Sequence, residues 1–302
     1  MAISSLSDLN QFWSQLWSQG DTRRIELSFA GLLSAAMVGL IITVSNLSDV
    51  TDSIEQEVIA LEPIAVFPDF ASISNISLKK QQFFDYLENF VIAENIAITQ
   101  TREQLNSFVK IANSGAEFSG PEKEWIYPLA ENYRIEVGKN SEKEIVEELL
   151  MRVDVLPVSL ALAQAANESA WGTSRFALEG NNIFGQWCFE EGCGIVPARR
   201  RAGDNHEVKS FDSIEGSIKA YFLNINSHPS YAYLRDLRSR MRERNLKLDP
   251  MSLAIGLGRY SERGDNYVDE VQTIIIQNDL RKRDALIPGL GRSTALNTNN
   301  TF

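Results

Sequence analysis

Cysteine is scarce in this sequence, with only Cys188 and Cys193 among 302 residues. Two cysteines cannot supply the four ligands of a structural zinc site, and these two do not have the two-residue spacing of a redox pair. A chain of this length has room for one or two domains with a core of ordinary size. A disulfide-rich miniprotein is therefore excluded.

Basic charge is also in short supply, because 29 lysine and arginine residues face 40 acidic residues and leave a net charge of −11. This balance gives no electrostatic footprint for nucleic acid. The sequence contains no phosphate loop and no nucleophile elbow, and the pair His206 and Glu207 lacks the second histidine of a zinc protease, because position 210 is serine. We therefore predict neither a metal nor a cofactor.

Long apolar runs are absent except for one, from Leu27 to Leu47, which contains no charged residue. About 20 such residues cross a bilayer as a helix. Two arginines precede the run and acidic residues follow it, so the positive-inside rule predicts a cytoplasmic N-terminus at residues 1–24 and an anchor at 25–47 in the inner (cytoplasmic) membrane. The rest of the chain is then periplasmic. A cleaved signal peptide is the alternative, but Asn46 and Leu47 interrupt the small-residue cleavage pattern.

Beyond the apolar run, residues 48–75 have the composition of a linker, and helical patterns follow them. From Leu78, apolar residues recur at helical spacing with charges between them, which predicts a long amphipathic helix. Ser141 followed by Glu144 is a capping-box arrangement and predicts a further helix. The expected order is a linker, a helical accessory region packed on the catalytic domain, the catalytic domain and a disordered tail: residues 48–75, 76–150, 151–285 and 286–302.

The segment that begins at Leu156 is almost wholly apolar up to Ala166, which predicts a helix buried on all sides. Glu168 is the exception in this segment. A carboxyl group in the last turn of a buried helix lies near the negative end of the helix dipole and away from water, and both effects favour its protonated form. A general acid that works near neutral pH needs this property. These residues alone leave open that Glu168 only caps the helix or pairs with Arg175.

The run AQAANESAWGTSRFALEGNNIFGQW resembles the catalytic motif of the glucosaminidases of glycoside hydrolase family 73, a lysozyme-like group that cuts peptidoglycan. The later stretches HEVKSF and YSERGDNYVDEV are similar to the Bax protein family, a membrane-anchored group. The resemblance implies a mainly α (α+β) fold, in which a transmembrane helix and a long helix precede a lysozyme-like helical domain with a small β-hairpin lobe. It implies the following site residues: Glu168 as the catalytic acid, Tyr260 as the cleft tyrosine, and Asn181, Asn182, Phe184 and Gly185 at the cleft floor.

A second acid is harder to place. Most glycosidases have two carboxyl groups that flank the bond, and the family often carries its second glutamate on a β-hairpin, where this chain has Arg199. Glu207 is the first substitute, with Glu191 and Asp204 behind it, and each of the three can equally be a solvated hairpin charge. Alternatively, the N-acetyl group of the sugar attacks and Tyr260 stabilises the developing charge, which requires no second carboxylate.

Flat aromatic side chains suit the apolar faces of hexoses, although most such residues belong to a core. We expect about two of five candidates to line the cleft, and Trp187 and Tyr221 are preferred; the five are Trp171, Phe184, Trp187, Tyr221 and Tyr231.

A disulfide between Cys188 and Cys193 is expected, because Gly192 and Gly194 permit the tight turn that such a short loop needs and the segment would lie outside the cytoplasm. A pair of buried, reduced thiols is the alternative.

The leading hypothesis is an anchored endo-β-N-acetylglucosaminidase that acts on the glycan strands of peptidoglycan, with Glu168 as the general acid. A lytic transglycosylase and a non-catalytic peptidoglycan-binding or scaffolding module are the alternatives. Protein partners and the oligomeric state cannot be predicted from these residues.

Overall fold

A computed structural model describes residues 67–198, 200 and 203–286 of the chain. The predicted cytoplasmic N-terminus and anchor lie outside these residues, as do most of the linker and nearly all of the tail. Among the described residues, no helix is both long enough and apolar enough to cross a bilayer.

The described part is mainly helical, with one small sheet, which is consistent with a lysozyme-like domain. Short 3₁₀ turns connect several of the helices. The helices are α1 (Ile76–Ser114), α2 (Gly120–Asn132), α3 (Glu142–Arg152), α4 (Val158–Glu168), α5 (Arg175–Gly180), α6 (Ile214–Ser227), α7 (Ala232–Glu243), α8 (Pro250–Ala254) and α9 (Asp265–Gln277), and the strands are β1 (Trp187–Cys188), β2 (Gly194–Ile195) and β3 (Glu207–Lys209).

The predicted long amphipathic helix is confirmed as α1, which has 39 residues. The side chain of Asn75 accepts a hydrogen bond from the amide of Leu78 at 3.0 Å and caps its N-terminus, and Gly115 ends it in the left-handed conformation. The buried face of α1 packs against α3, α4 and α6. One helix therefore contacts elements on both sides of the expected boundary at residue 150.

The predicted capping box of α3 is also confirmed. The backbone amide of Glu144 donates to the hydroxyl of Ser141 at 3.3 Å, and the amide of Ser141 donates to the carboxylate of Glu144 at 2.8 Å. These two bonds satisfy amides that the first helical turn leaves without partners. The helix then begins at Glu142, one residue after its cap.

Helix α4 is buried on all sides from Val158 to Ala166, as its apolar sequence predicts. A helix with no solvent-exposed face needs partners within the protein for the polar backbone groups at its ends. Asp284 supplies them at the N-terminus, where it accepts from the amide of Ser159 at 2.8 Å and from its hydroxyl at 2.7 Å. Buried Asn95 of α1 exchanges two hydrogen bonds with the backbone of Leu156. The start of α4 is thus fixed from two directions.

The sheet forms the small lobe that the sequence predicts. Strand β3 is central and pairs antiparallel with β1 on one side and β2 on the other. A Cβ atom at Gly194 would lie 2.0 Å from the carbonyl oxygen of Val208, so only glycine lets β2 approach β3 this closely.

A buried ion pair joins the segment before α4 to α7. The carboxylate of Asp154 accepts from Arg242 at 2.8 and 3.1 Å and lies 3.6 Å from Arg238, whose guanidinium also donates to the carbonyl oxygen of Asp154. Burial acts to raise the pKa of Asp154, but Arg238, Arg102 and Arg242 outweigh it and lower the pKa to about 2. The charge of Asp154 is therefore part of the folded structure.

We predict that Asp154→Asn lowers the free energy of unfolding by about 3–5 kcal/mol at neutral pH, because it leaves a buried arginine without its counter-ion. Urea unfolding of the purified protein measures the loss. Asp236→Asn removes an exposed carboxylate paired with Arg240 and is the matched control, with an expected change within about 0.5 kcal/mol.

The difference between wild type and Asp154→Asn should shrink as the pH falls below the ordinary value of 3.8 towards about 2, because the wild-type carboxylate then takes up its proton. An equal loss of unfolding free energy in Asp154→Asn and Asp236→Asn would contradict a special role for the buried ion pair.

Candidate active site

Glu168 is the last residue of α4 and points into the loop that follows α5. One of its carboxyl oxygens, Oε1, is buried and has no hydrogen-bond partner. Gly185 lies against the other oxygen, since a Cβ atom there would be 3.2 Å from Oε2. Gly185 also has a φ of +64°, which favours glycine. The loop can therefore approach the carboxyl group closely only because this position has no side chain.

Burial raises the pKa of Glu168 above its ordinary value. A hydrogen bond from Tyr267 and the positive charge of Arg263 favour the ionised form and oppose this effect, while the negative charge of Glu270 adds to it. Desolvation outweighs the opposing interactions. The carboxyl group thus keeps its proton to a higher pH than an exposed glutamate, which is the behaviour expected from the sequence.

Four tyrosines lie close enough to feel the charge of this carboxyl group. Their rings contact one another: Tyr260 stacks on Tyr267 with ring centroids 5.3 Å apart, and lies 5.9 Å from Tyr231 and 6.5 Å from Tyr221. Tyr260 is partly exposed, and its hydroxyl donates to the carbonyl oxygen of Phe184 at 2.8 Å. The predicted cleft tyrosine therefore lies beside the loop that contacts Glu168.

The residues expected at the cleft floor form internal contacts in the loop that follows α5. Asn181 ends α5 in the left-handed conformation and donates to the carbonyl oxygen of Phe211 at 2.9 Å. Asn182 is buried and donates to the carbonyl oxygens of Gln186 and Lys209 at 2.9 and 2.7 Å. Phe184 is only 1% exposed. The hydrogen bonds of Asn181 and Asn182 and the buried ring of Phe184 hold this loop in shape. That these residues bind substrate stays a prediction, and Asn181 is the one of the three whose side chain is only half-buried.

The preference for Tyr221 as a sugar platform is wrong. Its side chain is fully buried, because its ring stacks on Phe184 at 3.8 Å and its hydroxyl donates to Gln164 at 2.6 Å. Trp187 differs, since it is 56% exposed and only one face of its ring is covered, by His206 at 4.3 Å. Of the two preferred aromatic residues, Trp187 alone has a surface available to a sugar.

Glu207 has a structural role that the sequence does not reveal. Its carboxylate accepts from the amides of Gly192 at 3.2 Å and Gly194 at 2.8 Å. These two bonds lower the pKa of Glu207. The expectation that Glu207 is the second catalytic carboxylate therefore conflicts with the structure, which uses this group to hold a loop. The lower-ranked candidates, Glu191 and Asp204, are exposed, and Arg199 lies outside the described residues.

Cys188 and Cys193 form the predicted disulfide, with their α-carbons 6.2 Å apart. The two sulfur atoms and the carboxylate of Glu207 lie within 4.8 Å of one another, an arrangement that free thiolates could use to bind a metal. The disulfide removes both thiolates from that role. The bridge and Glu207 thus close the same short loop, one covalently and one through hydrogen bonds.

Comparison with known proteins gives a direct match for this part of the chain. The family model Glucosaminidase, described as mannosyl-glycoprotein endo-beta-N-acetylglucosaminidase, matches residues 143–280. Residues 143–280 therefore form a domain that matches the glucosaminidase family. The resemblance drawn from the ESAWG and NNIFG motifs is therefore confirmed, and the family is one of glycosidases.

The chain that carries this glucosaminidase domain is also similar to individual proteins. Protein bax of Escherichia coli (strain K12) is 29% identical over 200 residues, which cover 66% of this chain and 70% of that protein. The crystal structure of the catalytic domain of the autolysin Auto from Listeria monocytogenes is 18% identical, covers 62% of this chain and 97% of that one, and superimposes with a TM-score of 0.34.

Two buried residues of this domain that are hydrogen-bonded to each other were missed at the level of sequence, Gln164 and Tyr267. Gln164 lies four residues before Glu168 on α4, so both project from one face of the helix. The sequence could have indicated this residue, because a glutamine in a run of buried apolar residues needs hydrogen-bond partners. Tyr267 carried no such local signal, since its contact with α4 spans 103 residues.

We predict that protein isolated without reductant contains no free thiol, because Cys188 and Cys193 are paired. Labelling with a maleimide in denaturant, with and without prior reduction, measures this. Reduction should expose two thiols per chain, whereas two labelled thiols before reduction would refute the bridge.

Proposed function

We propose that this protein is a peptidoglycan hydrolase, an endo-β-N-acetylglucosaminidase that cleaves the glycan strands of the bacterial cell wall with Glu168 as the general acid. The observation that carries the proposal is the carboxyl group of Glu168, at the end of a buried helix in a glucosaminidase-family domain, with Oε1 free of any partner. Its raised pKa suits an acid that must hold a proton until the glycosidic oxygen leaves.

In this mechanism, Glu168 gives its proton to the glycosidic oxygen as the bond from that oxygen to the anomeric carbon breaks. The acetamide oxygen of the same sugar forms a bond to the anomeric carbon from the opposite face, so the positive charge is shared within a ring. A water molecule then attacks the anomeric carbon, reopens the ring and returns a proton to the carboxylate of Glu168. Tyr260 lies at the edge of this site and would stabilise the charge that develops.

The substrate's own acetamide is preferred as the nucleophile because Glu207 is already engaged. To act as a base or nucleophile, its carboxylate would have to give up the amides of Gly192 and Gly194. Its lowered pKa also reflects a group stabilised as an acceptor within the loop. The remaining steps then need only one protein carboxyl group.

We place the enzyme at the inner membrane, with residues 25–47 as the anchor and the catalytic domain in the periplasm. The charge pattern around the apolar run supports this orientation. The disulfide supports it independently, because such bonds persist in oxidising compartments. Peptidoglycan lies in the same compartment.

A lytic transglycosylase is the second candidate, favoured by the single acid at the site. Such an enzyme also needs one proton donor, but an internal hydroxyl rather than water closes the reaction. Mass spectrometry of the fragments released from purified peptidoglycan separates the two. A glucosaminidase gives products that have gained water, whereas a transglycosylase gives an anhydro end that is lighter by one water molecule. Absence of any product would favour a module that only binds peptidoglycan.

We predict that Glu168→Gln folds normally and lowers the rate by on the order of 10² to 10⁴, because the amide cannot donate the proton that the leaving oxygen needs. Release of fragments from purified peptidoglycan measures the rate. Glu179→Gln, which changes an exposed glutamate on α5, is the matched control and should retain full activity. Wild-type activity in Glu168→Gln would remove the mechanism.

We predict that Glu207→Gln lowers the rate far less than Glu168→Gln, because the wild-type carboxylate only holds the loop. Its effect should appear instead in the stability of the hairpin, and it should fade as the pH falls through the lowered pKa of Glu207. Proteolysis of the loop across a pH series measures this. A loss of rate as large as that of Glu168→Gln would favour a mechanism with two carboxylates.

A further inference from the structure

A groove between α1 and α2 lies on the accessory helices, away from the candidate active site. Its volume is about 660 Å³, within the range of about 300–1,000 Å³ that small-molecule binding sites have. The side chains that line it are Ala97, Gln100, Thr101 and Gln104 of α1 and Trp125, Pro128, Leu129 and Asn132 of α2. All eight precede residue 143, so the groove lies outside the part of the chain that matches the glucosaminidase family.

The two walls of the groove have the same helical spacing. Positions 97, 100, 101 and 104 and positions 125, 128, 129 and 132 each follow the pattern i, i+3, i+4 and i+7, so each set forms one face of its helix. Five of the eight side chains are exposed and the other three are half-buried. These two faces are therefore not part of the core and are open to a ligand.

The lining of the groove is uncharged, although the helices around it are rich in charge. Helix α2 alone carries Glu122, Lys123, Glu124 and Glu131. Within the described part of the chain, no ionisable side chain lines the groove. A site for an anion, a cation or a charged peptide gains most of its binding energy from charged partners. This lining instead suits a ligand that is polar and neutral.

The groove offers hydrogen-bonding groups that match hydroxyl and acetamide groups. The side-chain amides of Gln100, Gln104 and Asn132 each combine donors with an acceptor, and they have no partner among the described residues. Pro128 lies inside α2 and has no backbone N–H. The carbonyl oxygen of Glu124 therefore lacks the donor that a helix normally provides four residues further on. This oxygen is a further acceptor beside the groove.

Trp125 gives the groove an aromatic surface with a fixed orientation. Its ring stacks on that of buried Phe108, with centroids 5.1 Å apart and 15° between the planes. The indole is half-buried and lines the groove. A ring that is already held in place can pack against the apolar face of a hexose with little further loss of conformational freedom.

The groove is separated from Glu168 along the axis of α1. Trp171, three residues after the acid, contacts Phe83 and Phe84 of α1 with ring centroids 5.9 and 5.3 Å apart. The groove residues of α1 lie 13 to 20 positions beyond Phe84, which is about 20–30 Å at the rise of an α-helix. A sugar bound in the groove therefore leaves the site around Glu168 free.

We propose that the groove between α1 and α2 is a second binding site for the glycan strand, in which Trp125 stacks on an N-acetylated sugar while Gln100, Gln104 and Asn132 bind its hydroxyl and acetamide groups. The choice of a glycan strand rests on the proposed function, whose substrate has this chemistry. The groove holds one part of the polymer while Glu168 acts on another part. Attachment at one site raises the effective concentration of the same polymer at the other.

A direct test follows the indole N–H resonance of Trp125 by NMR. The sample is the 302-residue chain with Glu168→Gln, kept in detergent, so that the ligand is not cleaved during the measurement. The probe is a soluble β-1,4-linked oligomer of N-acetylglucosamine, and Trp125→Phe identifies the resonance by removing it. We expect the resonance to shift in a saturable way. A resonance that does not move with millimolar oligomer would overturn the proposal.

The decisive variants are Gln100→Ala/Gln104→Ala and the matched control Gln81→Ala/Gln82→Ala, which removes two exposed amides of α1 outside the groove. We expect the groove variant to bind insoluble peptidoglycan on the order of tenfold more weakly in a pelleting assay, because two hydrogen bonds are lost, and the control to bind like wild type. Trp125→Ala should weaken binding in the same way, but it also removes a core contact. The glutamine variant, whose side chains are exposed, decides the matter if Trp125→Ala does not fold.

Activity measurements separate this proposal from the proposed function. The groove variant Gln100→Ala/Gln104→Ala should cleave a short soluble fragment at the wild-type rate and insoluble peptidoglycan more slowly. Equal pelleting of this variant and its control would overturn the second glycan site and leave the role of Glu168 untouched. If the wild-type chain releases no product from peptidoglycan, the proposed function fails, and the NMR and pelleting measurements still decide whether the groove binds glycan.

Discussion

The burial of a carboxylic acid at the end of a helix is the constraint on which the rest of this structure depends. Water cannot reach most of α4, so neighbouring elements must satisfy its terminal polar groups. Asp284 does this at the N-terminus, and Asn95 fixes the peptide just before it. Because these partners come from the two ends of the described chain, the position of Glu168 depends on the whole domain.

The same burial that raises the pKa of Glu168 disfavours its ionised form. Tyr267 and Arg263 favour the ionised form and so limit the rise. A general acid needs both effects, because it must hold a proton before the bond breaks and carry a negative charge afterwards. The tyrosines around Glu168 provide apolar rings and only a few directed hydrogen bonds.

Sequence reasoning succeeded where the signal was local. The apolar run before Glu168 predicts a buried helix, and the capping box predicts the start of α3, because both patterns lie within one element. It failed for Glu207, whose partners are amides 13 and 15 residues away that only the folded loop brings close. The prediction that Tyr221 lines the cleft failed for a different reason, since a local pattern pointed the other way. It follows Ile218 and precedes Ile225 on the apolar face of α6, and that spacing indicates a core residue.

Glu168 and Glu207 illustrate how one residue type takes two roles in one domain. Glu168 has an oxygen without a partner and a raised pKa, whereas Glu207 accepts two amide hydrogens and has a lowered pKa. Their environments shift the pKa values of the two carboxyl groups in opposite directions, which is why we propose the first as the general acid and give the second a structural role. An acceptor that already has two donors has little left to offer a water molecule or an anomeric carbon. In the proposed reaction the substrate therefore supplies the nucleophile, and Glu207 holds the loop that contains Gly192 and Gly194.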